Sequence, residues 1–180
     1  MPESSTDVLQ RLVRDVPDFP QPGVVFKDIM PLLADHEGFR TVVQALADAG
    51  RDASGQVVVD KVIGMESRGF ILGAPVALAL GVGFVPARKP GKLPGETHAV
   101  SYALEYGEAT LEIQCDALQP GDRVLVVDDV LATGGTARAT CDLIERSGAH
   151  VHGMAFLMEL SFLPGREATA GRDVTSLLTV

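Results

Sequence analysis

Residues 123–136, "RVLVVDDVLATGGT", run from an apolar stretch into two adjacent acids and then into a loop of small residues. A strand buried in a core has no use for Asp128 and Asp129. In an open parallel sheet, ligands gather beyond the carboxyl ends of the strands, where these two acids fall. The following loop "ATGGT" leads into a helix, so backbone N–H groups and the positive end of the helix dipole converge on one small volume. That volume suits a phosphate. Gly134 and Gly135 admit close backbone approach, Ala132 keeps the loop small, and Thr133 and Thr136 offer hydroxyl donors. A Walker A loop would need a lysine before Thr136, and the dinucleotide fingerprint needs another glycine spacing. Two carboxylates ahead of a phosphate cradle can accept hydrogen bonds from a vicinal diol, and a ribose 5-phosphate satisfies both halves. The alternatives are an ordinary strand, turn and helix with surface acids, or a receiver-like acidic pocket for Mg2+.

Cations are scarce and clustered. Between Arg68 and Arg123 the only Lys and Arg residues are Arg88, Lys89 and Lys92, in "ARKPGK". In a chain of formal net charge −9, that cluster reads as an anion clamp or as a solvated basic loop. The turn "GMESRGF" (64–70) ends another apolar run, so Glu66, Ser67 and Arg68 stand at a second strand terminus, unless Gly64 and Gly69 simply bound a helix start. His36, His98, His150 and His152 match no metal-ligand spacing, and Cys115 and Cys141 are too few for a zinc site or a disulfide framework.

The elements that must carry these groups are legible in outline. A chain of 180 residues, 46% hydrophobic, fits one α/β domain spanning 1–180. Four runs rich in β-branched residues, 57–63, 82–87, 123–129 and 151–158, lack clean alternation and predict a parallel sheet covered on both faces. Helical stretches closed by Gly81 and Gly148 lie between them at βαβ spacing. Near the start, 7–16 predicts a helix with Val8, Leu9, Leu12, Val13 and Val16 on one face, and 38–50 predicts another. The Pro-rich segment 16–31 between them cannot be regular helix. Residues 97–113 alternate in a period of two about Gly107 and Glu108, which predicts a β-hairpin beside the sheet. The C-terminal "VTSLLTV" reads as a last strand. The overall acidity disfavours nucleic acid, and neither a signal peptide nor an apolar run of membrane-spanning length is present, so the expected setting is cytoplasmic.

Acid-acid followed by "ATGGT" resembles the phosphoribosyl pyrophosphate motif of the type I phosphoribosyltransferases. The segments "DFPQPGVVFKDIMPLL", "ESRGFILG", "RKPGKLPGET", "SYALEYGEATLEIQ" and "VLVVDDVLATGGT" are similar, in order and spacing, to the adenine phosphoribosyltransferase family, and cover most of 18–160. The resemblance implies an α/β fold with a central, mainly parallel sheet flanked by helices, an N-terminal hood (about 1–35) and a hairpin flap (about 97–114). It implies a pentosyltransferase that moves the 5-phosphoribosyl group to N9 of adenine, giving AMP and diphosphate in purine salvage. Mg2+ assists, held mainly by the pyrophosphate substrate and water rather than by protein ligands. The family is usually homodimeric.

Residue by residue, the resemblance gives Glu105, on the flap, the proton near N7, and Arg68 and Lys89 the departing pyrophosphate. Phosphoribosyl pyrophosphate and AMP would be held by Asp128, Asp129, Ala132, Thr133, Gly134, Gly135, Thr136, Glu66, Ser67, Arg68, Arg88, Lys89, Lys92 and Tyr106. Adenine would stack on Phe26, meet the main chain of Val25 and Lys27, and be closed over by Leu160. The family often has a cis peptide bond before the residue matching Ser67. Lys27 stands where the family commonly has Arg. Two rivals remain at this level: a 6-oxopurine transferase, and a sensor of phosphoribosyl pyrophosphate that binds DNA, for which this chain has no room for a winged helix.

Overall fold

The computed structural model describes residues 3–103 and 107–180. Ser4 accepts a hydrogen bond from the Asp7 N–H and opens helix α1 (Ser5–Leu12), whose Val8 and Leu9 are buried. The helix predicted over 7–16 stops earlier than its apolar face implied. Val13 is already extended (φ −88°, ψ 120°), and Arg14–Pro17 forms strand β1, paired antiparallel with β2 (Val25–Asp28). Two forces favour this outcome. Pro17 disfavours helical geometry at Val16, and the strand gains a ladder plus ion pairs from Arg14 to Asp28 and from Lys27 to Asp15. The Pro-rich segment thus becomes a hairpin, with a cis Phe19–Pro20 bond in its turn.

Asp28 accepts from the Met30 N–H, turning the chain into α2 (Met30–Ala34), and Asp35 caps α3 (His36–Asp48). The sheet follows. Strand β3 (Lys61–Met65) leads into α4 (Arg68–Leu80) and β4 (Gly83–Ala87). The hairpin β5 (Thr97–Ala103) and β6 (Glu108–Gln114) is antiparallel, as its alternation predicted. Then come β7 (Arg123–Leu131), α5 (Gly135–Arg146), β8 (His150–Glu159), α6 (Gly165–Ala168) and β9 (Val174–Thr179). Five strands pair in the order β4-β3-β7-β8-β9, all parallel.

Burial shows why the strand sequences lack alternation. Leu125 and Val127 of β7, with Ala155 and Leu157 of β8, pack into a core shared with α1, α3 and α4. Val124, Val126, Met154 and Phe156 face the opposite way, into a core shared with α5 and the hairpin. Both sheet faces are dry, so every position favours an apolar residue. Strand β3 begins later than predicted: residues 57–60 precede it, and Val57 makes only an isolated bridge with Arg51. Asp60 is diverted to Arg123, donating its N–H to the Arg123 carbonyl (2.7 Å) and accepting the Arg123 guanidinium at 3.0 and 3.1 Å.

Candidate active site

Strands β3, β4 and β7 all end on one side of the sheet, and the acids, the glycine loop and the basic loop meet there. β7 runs on to Leu131, so Asp128 and Asp129 lie within its last turn of pleat rather than after it. Their side chains therefore leave opposite faces. Asp129 is buried, and Asp128 is partly so. Burial, with the Asp129 carboxylate beside it, pushes the Asp128 carboxyl well above the usual carboxylate range.

Gly64 and Gly69 do more than bound a helix. A Cβ on Gly64 would lie 2.4 Å from the Gly69 carbonyl oxygen, and one on Gly69 would lie 3.0 Å from Asp128 Oδ1. Their absence of side chains lets the start of α4 press against β3 and close over Asp128.

The 132–136 loop turns through the left-handed region at the first of its two glycines. Gly134 sits at φ +83°, and a Cβ there would fall 2.6 Å from that of Ala168 in α6. It caps α5, whose first turn begins at Gly135. Ala132, Thr133, Gly134, Thr136 and Asp128 line a small cavity of about 80 Å³ floored by Met65 and Phe156. Adjoining it, Glu66, Ser67, Arg68, Lys89, Asp128, Asp129 and Thr136 line a polar pocket of about 360 Å³.

The Glu66–Ser67 peptide bond is cis. The Glu66 carboxylate does not face outward as a free group: it accepts the Lys89 N–H at 3.0 Å and Arg88 Nε at 3.3 Å. The Lys89 N–H first, and then the Arg88 charge, hold its pKa below the usual value despite its burial. Arg88 also lies over the Phe70 ring, 5.8 Å from the centroid, and donates to the Lys92 carbonyl. Arg88 and Glu112 of β6 exchange two backbone hydrogen bonds (2.9 and 2.7 Å), and the Glu112 carboxylate accepts the Gly91 N–H at 3.2 Å. The basic loop is thereby tied to the hairpin. Lys89 lines the 360 Å³ pocket, whereas Lys92 is exposed and is not among its lining residues.

Arg68 links this pocket to the N-terminal hairpin. Its Nε donates to the Asp129 carboxylate while the guanidinium lies 5.6 Å from the Phe26 centroid. Phe26 in turn meets Phe19 edge-on at 5.2 Å. Lys27 spends its side chain on Asp15 (Nζ to Oδ1, 2.7 Å). The β1–β2 register also fixes the main chain. Pro17 has no N–H, so the Pro17–Val25 pair cannot exchange two bonds, and alternation gives that role to Val16–Phe26. The N–H and C=O groups of Val25 and Lys27 consequently face away from β1, on an open edge where Val25 is 53% exposed. Leu160 stands apart from these groups. It donates its N–H to the Leu131 carbonyl and lines a different pocket, of about 190 Å³, with Leu163 and Pro164.

Glu105 and Tyr106 lie outside the described residues. Next to them, the hairpin contributes a contact that no local pattern announced: the Tyr102 hydroxyl lies 3.1 Å from Thr136 Oγ1. Alternation marked Tyr102 only as an apolar-face residue, because its partner is 34 residues away in sequence. Taken together, the site gathers the hydroxyl-bearing loop at the start of α5, two carboxylates, and the cationic residues Arg68 and Lys89.

Comparisons with known proteins agree with that chemistry. Residues 32–170 match the family model of the phosphoribosyl transferase domain. An adenine phosphoribosyltransferase of a Nocardioides species is 73% identical over 169 residues, covering 94% of this chain and 91% of that protein. The crystal structure of adenine phosphoribosyltransferase from Thermoanaerobacter pseudethanolicus superposes with a TM-score of 0.90 at 47% identity, covering 97% of this chain and 99% of that one. The Saccharomyces cerevisiae adenine phosphoribosyltransferase, complexed with an imino-altritol bisphosphate and adenine, superposes with a TM-score of 0.91 at 41% identity, covering 97% and 98%.

Proposed function

The chain belongs to the adenine phosphoribosyltransferase family, and on that premise we propose which of its residues carry out the family's reaction. The protein transfers the 5-phosphoribosyl group from its 1-pyrophosphate to N9 of adenine, giving AMP and diphosphate. The observation that carries the residue assignments is the single 360 Å³ pocket shared by Asp128, Asp129, Thr136, the Glu66–Arg68 turn and Lys89.

In this reading the 5-phosphate occupies the 132–136 loop, under the N–H groups and dipole of α5, with the Thr133 and Thr136 hydroxyls on its remaining oxygens. The ribose hydroxyls go to Asp128 and Asp129. Their arrival at Asp129 releases the Arg68 guanidinium toward the pyrophosphate, where Lys89, Arg88, Lys92 and the main chain of Glu66 and Ser67 share the charge. As the bond from the anomeric carbon to the pyrophosphate oxygen breaks, the leaving group keeps the electron pair, and these cations stabilise it more than they stabilise the intact substrate. The N9 lone pair then forms the new bond to carbon, and Glu105 takes the proton that adenine carries at N7. Tyr106 positions the same flap, which excludes water from the cation-like centre.

Mg2+ belongs to this proposal. The hard carboxylate oxygens of Asp128 and Asp129 suit an ion that keeps most of its waters, by accepting from those waters. Bound through the pyrophosphate, the ion would neutralise negative charge on the leaving group.

Adenine would lie on Phe26, with the open edge of β2 reading it: a C=O of Val25 or Lys27 accepts from the 6-amino group, and an N–H donates to N1. A 6-oxopurine carries a hydrogen at N1 and an acceptor at position 6, so it leaves both main-chain groups unpaired, a mismatch that can discriminate by about four orders of magnitude. Leu160 is retained as the cover for the other ring face, reached by closure around the base. Residues 1–180 act as one catalytic unit in the cytoplasm, and a homodimer would cover Ile71 and Leu78, exposed apolar side chains of α4. No described helix is long and apolar enough to cross a membrane.

The test is chromatography of nucleotides formed from phosphoribosyl pyrophosphate and Mg2+ with adenine, hypoxanthine, guanine or xanthine in separate reactions. AMP from adenine, and no product from the other bases, is expected. Turnover of a 6-oxo base alone would discard the β2 reading, and binding of phosphoribosyl pyrophosphate without turnover of any base would favour the sensor.

A further inference from the structure

We propose that Tyr102 is a positioning residue for the phosphate loop: its hydroxyl donates to Thr136 Oγ1 and so aims the Thr136 proton at the bound 5-phosphate. The inference rests on the phosphate-site reading above and adds a residue from another element to it.

Three observations converge. The Tyr102 hydroxyl and Thr136 Oγ1 are 3.1 Å apart, and either oxygen can donate. The Tyr102 ring also packs against the first residue of α5, since a Cβ on Gly135 would lie 3.2 Å from its Cδ2. Finally, Thr136 lines both the 80 Å³ loop cavity and the 360 Å³ pocket. A hydroxyl has one proton and two lone pairs, and a phosphate dianion can only accept. With phosphate in the loop, one chain of protons serves every group: tyrosine O–H to threonine oxygen, threonine O–H to phosphate. In that direction each bond polarises the next. The reverse direction would turn the Thr136 proton toward the phenol and leave lone pairs facing the anion.

The same contact sits near the end of β5, where Tyr102 pairs with Ala109 of β6. On the far side of the hairpin, Glu112 holds the Arg88–Gly91 loop. The hairpin therefore touches both anion loops, and Tyr102 is its hold on the 5-phosphate side.

Tyr102→Phe keeps the ring packing and deletes only the hydroxyl. The loss of one neutral hydrogen bond feeding a phosphate donor should raise KM for phosphoribosyl pyrophosphate about three- to tenfold, while KM for adenine and kcat stay within about twofold. Ribose 5-phosphate titrated calorimetrically should weaken by the same factor, a readout that needs no turnover. In a Thr136→Val background, Tyr102→Phe should have no further effect on either measurement. An unchanged ribose 5-phosphate affinity, equal loss for adenine, or full additivity with Thr136→Val would each overturn the inference. Failure of the wild-type protein to form AMP would instead count against the functional reading, so the two failures are distinct.

Discussion

The guanidinium of Arg68 stands 5.6 Å from the centroid of the Phe26 ring, which brings the first residue of α4 against the N-terminal hairpin. Arg68 is also bonded to Asp129, so one side chain spans the end of β7 and the β1–β2 hairpin. The contact leaves the β2 edge beside the acids rather than free of them.

If Phe26 is the stacking surface, Phe26→Leu should raise KM for adenine about tenfold, since stacking on an aromatic contributes roughly 1–3 kcal/mol per base. KM for phosphoribosyl pyrophosphate should change by less than about threefold. Initial rates with each substrate varied at saturation of the other would show whether the loss follows the base.

Asp129→Asn removes the charged partner of Arg68 and, on the proposed assignment, one acceptor of the ribose diol. We expect KM for phosphoribosyl pyrophosphate to rise by about tenfold or more, with adenine little affected. Hydrogen bonds to an ionised group contribute about 1.5–3 kcal/mol, which sets that scale. Unchanged kinetics would take Asp129 off the substrate.

Glu105→Gln keeps the side chain's size and removes its capacity to take a proton. A loss of about a hundredfold in kcat is expected, at the lower end of what a general base contributes. Calorimetric affinity for phosphoribosyl pyrophosphate should stay within about threefold of wild type, and a parallel loss there would give Glu105 a binding role instead.

Gly134→Ala meets two obstacles at once, the positive φ and the Ala168 Cβ 2.6 Å away. A destabilisation of about 2 kcal/mol follows from forcing a side chain into such a site. Thermal unfolding should register it, and ribose 5-phosphate should bind more weakly because the loop can no longer close on α6.

Asp60 supplies a pH dependence. Its hydrogen bonds with Arg123, side chain first and backbone next, lower its pKa to about 2. A folded-state pKa below the unfolded value stabilises the protein above the ordinary aspartate range, and the gain disappears as pH falls toward about 2. Both side chains reach solvent, at 50% and 40% exposure, so the contribution stays under about 1 kcal/mol. The melting temperatures of wild type and Asp60→Asn should therefore differ near pH 6 and converge only as the pH falls below about 2. A gap that persists at low pH would assign the effect to packing.

The parts of this architecture written in local pattern could be read before any coordinates. The sheet strands announced themselves as apolar runs, Gly81 and Gly148 ended the helices on either side of them, and the hairpin showed its period of two. The 132–136 loop was legible because glycine, threonine and a helix start lie within five residues. What escaped depends on partners far along the chain. Arg14–Pro17 became a strand through its pairing with residues 25–28. Residues 57–60 stayed outside β3 as Asp60 turned to Arg123. The Glu66 carboxylate, for which no local pattern named a partner, is committed to the 88–89 segment. Leu160 lines another pocket because β8 ends beside Leu131.

The strands that would read the base form a two-stranded sheet that does not join the five-stranded one. On the proposed assignments, base choice and phosphoribosyl chemistry would sit on different sheets, joined through Arg68. A different β1–β2 hairpin, grafted between α1 and α2, could offer another purine its matching edge while every group on the sugar and pyrophosphate stayed where it is. Such a graft has to preserve one junction above all, an aromatic face under Arg68, since that is where the interchangeable half is registered against the constant one.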